Sequence, residues 1–193
     1  MWAKVESGSV TQVYTSPKSL TIGDIQYPSN IFQLWSKSEL EAIGIYEVEI
    51  DNTNLKDQGY YSNTVQSFSF GSGKVTASYG TATAMSLTDT SETVNGITTT
   101  ILGLKSVHKN NVNSEASVLL QKHDWMSIRE AEGGTDMPSN IKTWRASVRT
   151  KTNAMCTQID NASDVDALKA LYVYDIEEDP PVRPLGEFPD EPS

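Results

Sequence analysis

The residues that could do chemistry in this chain are few, and their spacing suits chemistry poorly. His108 and His123 are the two histidines, and Cys156 is the single cysteine. No HExxH or HxxxH spacing joins them, and a structural zinc site typically takes four nitrogen or sulfur ligands. Both histidines therefore read as solvated or helix-surface side chains. A serine nucleophile of the hydrolase kind sits in a GxSxG elbow, which is missing. Cys156 follows Met155 beside an apolar helical stripe with no histidine near it in sequence, so a buried, unreactive thiol is expected. Gly71-Ser72-Gly73-Lys74 lacks the GxxxxGK[ST] spacing of a phosphate loop, and the alternation after it points to a strand. Asp160, Asp164 and Asp166 lack the Gly and terminal Glu of a calcium loop, and helix capping accounts for two of them. Asn161-Ala162-Ser163 fits a glycosylation acceptor, but no secretory segment accompanies it. The expectation is a non-enzyme with no catalytic residues, no cofactor and no metal.

Composition narrows the partners. Twenty-five acids against fifteen bases give a formal charge of −10 over 193 residues. Nucleic-acid binding needs clustered Lys and Arg to displace counterions, and no such cluster is present. From Asp175 to Ser193 there are seven acids and one base, so this segment supplies −6 of the charge. No run approaches the roughly 18–20 apolar residues that span a bilayer. The N-terminus has neither the basic region nor the apolar run of a secretory signal. Neither nucleic acid nor membrane is an expected partner, and one cysteine rules out an intrachain disulfide framework.

The elements that must position any functional residue divide the chain. Residues 1–80 read as a β-rich unit. Trp2–Tyr14 forms a hairpin about Ser7-Gly8, and Leu20–Ile22 pairs with Ile25–Tyr27 about Gly23-Asp24. A short helix is capped by Ser36 with Glu39 three residues on and stopped by Gly44. Tyr46–Ile50, Gln66–Phe70 and Lys74–Tyr79 complete the strands. Residues 81–102 are Thr-rich, and Asn95-Gly96 between Thr93-Val94 and Ile97-Thr98 signals either a protruding hairpin or a linker. Residues 103–174 read as helical, from an amphipathic start at Leu104, Val107, Asn111 and Val112 to a final helix capped by Ser163. The strongest helix opens at Pro138-Ser139, with Ile141, Trp144, Val148, Met155 and Ile159 on one face and Thr152 among them. Residues 175–193 hold five of the eight prolines and read as a flexible acidic tail. The fold class expected is α+β.

What remains is aromatic and amphipathic. Trp125 and Trp144 with Arg129, Arg145 and Arg149 have the composition of an interface hot spot. Burial in a helical core is the competing account for the tryptophans, and it is favoured. The proline-acid tail is a second contact candidate, since such segments dock in extended form.

The segment DWMSIREAEGGTDMPSNIKTWRASVRTKTNAM resembles a module of bacteriophage tail-fibre assembly proteins and tail assembly chaperones. The likeness is carried by Asp124-Trp125, the spacer to Pro138, and Trp144-Arg145 followed by Arg149. MWAKVESGSVTQVYTSPKSL, continuing to YPSNIFQLWSKSELEAIGIYEV, is similar to the amino-terminal unit of such proteins from marine and cyanobacterial phages. The Thr-rich middle and the acidic tail depart from the family pattern. The resemblance implies a non-catalytic role in assembling or attaching tail fibres, with fibre or other tail proteins as partners in an oligomeric assembly. It also implies a location in the host cytoplasm during assembly, or in the virion tail. A permanent tail, baseplate or fibre-adaptor subunit is the alternative, and a small glycan or cell-wall hydrolase a more distant one.

Overall fold

The computed structural model describes residues 1–192; residue 193, the last of the expected tail, lies outside them. The fold is α+β, and the chain divides between Thr83 and Ala84 into two compact units.

In the first unit, β1 (Trp2–Glu6) and β2 (Ser9–Tyr14) form an antiparallel hairpin. Ser7 and Gly8 both take positive φ, the turn that matches strand twist. A second hairpin joins β3 (Leu20–Ile22) to β4 (Ile25–Tyr27). Two short helices follow, α1 (Ile31–Leu34) and α2 (Lys37–Ala42). The expected capping box is present: Ser36 Oγ accepts from Glu39 N, and the Glu39 carboxylate accepts from Ser36 N at 2.8 Å. Helix α1 has no such signal and was not expected. Next come β5 (Ile45–Asp51), β6 (Tyr61–Ser62), β7 (Ser67–Gly71), β8 (Lys74–Ser78) and β9 (Thr83–Ala84).

Five of these strands make one sheet in the order β2-β1-β5-β8-β7, with β5 and β8 parallel. The sheet curls, bringing its edge strands β2 and β7 near each other. Strand alternation sorts side chains to its two faces. Tyr14 and Ile45 pack with Leu20, Phe32 and Leu40 under the small hairpin and helices. Ala3, Val48, Val75 and Ala77 are buried on the other side, with Val10, Val13, Phe68 and Phe70 against them. Val10 and Val13 differ in parity, yet both join this second cluster. A bulge explains it: Lys4 pairs with Gln12 and Val5 with Val10, so Thr11 is the extra residue that shifts the alternation.

The second unit begins with an isolated hairpin, β10 (Thr90–Val94) and β11 (Ile97–Ile101). Its root is pinned to α3 (Leu104–Gln121): the Leu104 and Lys105 amides donate to the Ser86 and Leu87 carbonyls, and Gly103 N donates to Asp89 Oδ1 at 2.8 Å. Three of the orphan donors at the helix start are thereby satisfied. Then come α4 (Asp124–Ala131), α5 (Ser139–Asn161) and α6 (Val165–Ala170). The stripe expected on α5 is buried, Thr152 included, its hydroxyl donating to Val148 O at 2.8 Å. Two expectations need correction. Asp164 caps α6, accepting from Ala167 N, while Ser163 only donates to the Asp164 carboxylate. Val107 is exposed, and Ala116 takes a place in the core in its stead. Among the described residues, no helix is long and apolar enough to cross a membrane.

The segment expected to be a flexible tail instead runs along α5. It has one bridge, Asp175 to Val182, and no longer ladder among the described residues. Leu185 is 1% exposed, and Phe188 packs against Trp144, Val148 and Ala116. Trp144 Nε1, Lys151 Nζ and Gln158 Nε2 donate to the carbonyls of Pro189, Leu185 and Pro184 at 3.0, 2.9 and 3.0 Å. These donors fall every seventh residue, so they lie in one row on α5. Proline cannot donate to a ladder, but its carbonyl accepts freely, and a row of side-chain donors suits such a segment. Gly186 turns the chain between them at φ +74°, where a Cβ would run into Lys151 Nζ.

Leu185→Ala is expected to destabilise the helical unit by about 2–4 kcal/mol, from lost burial plus the cavity left. Urea denaturation followed by circular dichroism measures it. A loss under about 0.5 kcal/mol, the usual range for an exposed site, would show the tail undocked in solution.

Candidate functional site

The residues singled out from the sequence lie on two consecutive helices, and the structure separates them into interior and surface. α5 is buried along one face, so Trp144 and Arg145, one residue apart in that face, are 5% and 6% exposed. The Trp144 ring stands edge-on to His123 at 5.5 Å. Arg145 spans to the α3–α4 junction. One guanidinium nitrogen donates to Leu120 O, and the other reaches Asp124 Oδ1 at 2.7 Å. A buried guanidinium needs such partners, because its desolvation is otherwise uncompensated. These two side chains are structural: they fix where α4 begins.

Glu130 performs the same service at the other end of α4. Its carboxylate accepts from Lys142 Nζ and from Met137 N, bridging the 132–138 loop. The Lys142 hydrogen bond holds the Glu130 carboxyl below the ordinary glutamate range, and Lys142 is raised in turn. Arg129 Nε donates to Thr135 O at 3.0 Å, fastening the same loop. Gly134 lies so close to the Arg129 carbonyl that a Cβ there would force the loop open.

With its polar residues holding the loop, α4 leaves its apolar ones outside. It buries no side chain fully; Trp125 is 53% and Ile128 59% exposed. The Arg129 guanidinium lies over the Trp125 ring, 4.9 Å from its centre. Trp125, Ile128 and Arg129 are spaced i, i+3, i+4 and so share one face of the helix. The favoured expectation of a core role thus describes Trp144 but not Trp125. Ile128 was missed from the sequence; its spacing from Trp125 was the available signal.

Arg149 is exposed one turn beyond Arg145. It borders a groove of about 370 Å³ between α3 and α5, with Asn113, Ser117, Asp124, Arg145 and Thr152 also on its wall. That lining carries two guanidiniums and one carboxylate. It offers hydrogen bonds to a polar guest but holds no nucleophile paired with a base.

The histidines and the cysteine do not converge. His108 and His123 lie on and just beyond α3, about 22 Å apart by helical rise. His108 packs on Tyr172, and burial lowers its pKa. His123 Nε2 meets Glu191 Oε1 at 2.8 Å. Burial raises the Cys156 thiol, whose charged neighbours are Lys109 and Asp160. Among the described residues no three His, Cys, Asp or Glu side chains are grouped to hold a metal ion.

Comparison with protein-family models, with curated proteins and with solved structures finds no match to this chain.

Two predictions follow from the packing. Arg145→Ala is expected to cost about 2–3 kcal/mol, from the charge-assisted bonds lost to Leu120 O and Asp124 and the packing of a buried side chain. Arg149→Ala is expected to stay within about 0.5 kcal/mol of the parent. Thermal and urea unfolding of both variants checks the contrast, and equal costs would contradict it. Acid should also loosen this unit. The Glu130 and Glu191 carboxyls are held low by their Lys142 and Lys122 partners, so their contribution is complete above the ordinary glutamate pKa of about 4.3 and is lost as pH falls through the lower folded values. Urea midpoints from pH 7 down to pH 3 report it, and Glu191→Gln should flatten the decline.

Proposed function

We propose that this protein works without catalysis, by contacting other proteins while phage tail fibres are assembled or attached. The observation that carries the reading is the outward face of α4. A tryptophan and an isoleucine remain exposed there beside a stacked arginine, on a helix whose loop and ends are already fastened. Trp and Arg are the side chains most enriched at interface hot spots, and a rigid helix presents them at little entropic cost. The phage assignment rests on the resemblance of the segment from Asp124 to Met155 to tail-fibre assembly proteins and tail assembly chaperones. Partners are then fibre or other tail proteins. The cytoplasm of an infected host is where such contacts would form.

A second reading is favoured by the docked tail. Residues 184–191 are built into the helical unit rather than left free, as suits a subunit that stays in the finished particle. Stoichiometric recovery from purified virions by mass spectrometry would select this subunit role, and absence from virions would select the assembly role.

Trp125→Ala is expected to weaken binding to the fibre protein encoded with it by at least about 30-fold, the effect of a hot-spot residue, with the melting temperature nearly unchanged. Titration calorimetry or co-purification after co-expression measures it. Parental affinity in both Trp125→Ala and Ile128→Asp would remove α4 as the contact face.

A further inference from the structure

Among the described residues the hairpin β10–β11 is a two-stranded sheet with no third strand on either side, and all ten of its strand residues are exposed. A lone two-stranded hairpin is marginal in water. Natural edge strands are usually protected by lysine, proline or a bulge. β11 reads Ile97-Thr98-Thr99-Thr100-Ile101: β-branched throughout, uncharged, free of proline and paired without a bulge.

The register states which groups face outward. Asn95 and Gly96 both take positive φ in a two-residue turn closed by Val94 and Ile97. The closing pair of such a turn is hydrogen-bonded, so alternation makes Glu92–Thr99 and Thr90–Ile101 hydrogen-bonded too. Thr93–Thr98 and Ser91–Thr100 are then non-hydrogen-bonded pairs, which agrees with the Thr93 and Thr98 hydroxyls meeting at 2.9 Å. The backbone N–H and C=O of Thr98 and Thr100 point away from β10, and those of Ser91 and Thr93 point away from β11.

We propose that β11 pairs antiparallel with β11 of a second copy, about a two-fold axis at Thr99, to give a four-stranded sheet across the dimer. The strand is palindromic in sequence, and the two-fold register uses the free groups. Thr98 faces Thr100 of the second copy and exchanges both N–H···O bonds with it. Thr99 faces Thr99, and Ile97 faces Ile101. Val94, Ile97 and Ile101 share one face of the hairpin, so the pairing sets Ile97 of each copy between its own Val94 and Ile101 of the other, an apolar row at each end of the seam with the two Thr99 side chains between them. Charge selects this edge over the other. The same operation on β10 centres on Glu92 and sets two carboxylates directly opposite each other, which is destabilising. On β11 no charge meets the seam, so the −10 of each chain is kept off it. The seam is short beside the roughly 20–30 residues a side of a standard interface, so the dimer is concentration-dependent. It uses no residue of the α4 face.

Sedimentation of the full chain from about 1 µM to about 1 mM tests it. The weight-average mass should rise from 21.2 kDa toward twice that. Thr99→Lys places like charges on the axis while facing Glu92 within its own hairpin, and should weaken the dimer at least tenfold or so. Thr98→Pro removes an outward donor and no ladder bond of the hairpin, and should do the same. For a positive readout, Thr99→Cys in a Cys156→Ser background should form a disulfide dimer on mild oxidation. Facing non-hydrogen-bonded residues lie about 4.5 Å apart at Cα, within disulfide range. Ser91→Cys in the same background should not cross-link. A chain that stays monomeric throughout, a dimer indifferent to Thr99→Lys and Thr98→Pro, or cross-linking equal at residues 91 and 99 would each overturn the proposal. Trp125→Ala should leave the dimer intact, which separates this result from the fate of the α4 contact.

Discussion

Helix α5 is covered on two sides, and the helical unit takes its form from that requirement. One side carries Ile141, Val148, Met155 and Ile159 into the core. The other presents Trp144, Lys151 and Gln158 as donors to an extended chain. Trp144 serves both, with its ring in the cluster around Ala116 and Val148 and its indole N–H on the Pro189 carbonyl. Ordering a chain segment costs about 1–2 kcal/mol per residue in backbone entropy. Prolines lower that cost because φ is already fixed. Burial of Leu185 and Phe188 supplies the opposing term, and Glu191 at Lys122 and His123 fastens the end. An acidic, proline-rich composition therefore does not by itself leave a chain free; it docks where apolar anchors and side-chain donors recur at the right interval.

That interval explains why the tail was misread while the rest was largely legible. Hairpins at Ser7-Gly8 and Asn95-Gly96 announce themselves because their turns need positive φ, and few dipeptides supply it. The Ser36–Glu39 box and the α5 stripe are legible for the same reason: each is a local pattern with a local cause. Helix α1 has four residues and no side-chain cap, so nothing local marks it. The Thr11 bulge is equally silent, being fixed by the partner strand rather than by Thr11 itself. Tail docking is a non-local pairing of donors in one segment with carbonyls in another. Composition averages over that information. The choice between Ser163 and Asp164 as cap was local but close, since adjacent residues both carry capping side chains.

The candidate site shows the same division. Residue types placed Trp125, Arg129, Trp144, Arg145 and Arg149 together, but only the helix phase decides which face inward. Trp144 and Arg145 belong to α5's buried stripe, whereas Arg149, one turn after Arg145, is exposed. The polar residues of the 124–142 segment are mostly occupied in holding the α4–α5 connection: Arg145 with Asp124, Glu130 with Lys142, Arg129 with Thr135. Once those bonds are made, α4 cannot roll its apolar face inward. Trp125 and Ile128 stay exposed because the clamp fixes the helix with the other side down.

The five-stranded sheet and the Thr-rich hairpin meet the problem of strand edges in opposite ways. In the β-rich unit the five-stranded sheet curls until its edge strands approach, and a bulge in β2 turns two valines of unlike parity into one core. An unlike-charge pair also joins two of its strands, Lys74 on β8 with Glu49 on β5 at 2.6 Å. The Thr-rich hairpin has neither bulge nor lysine, and β11 runs Ile-Thr-Thr-Thr-Ile where a solitary edge would carry charge. A chain whose net charge is −10 has acids to spare, yet only Glu92 stands in either strand. It lies on β10, so the two edges of one hairpin differ in kind: β10 repels its own copy, and β11 does not. Charge guards one edge of this hairpin against its own copy, and the unguarded edge is the one the proposed pairing uses.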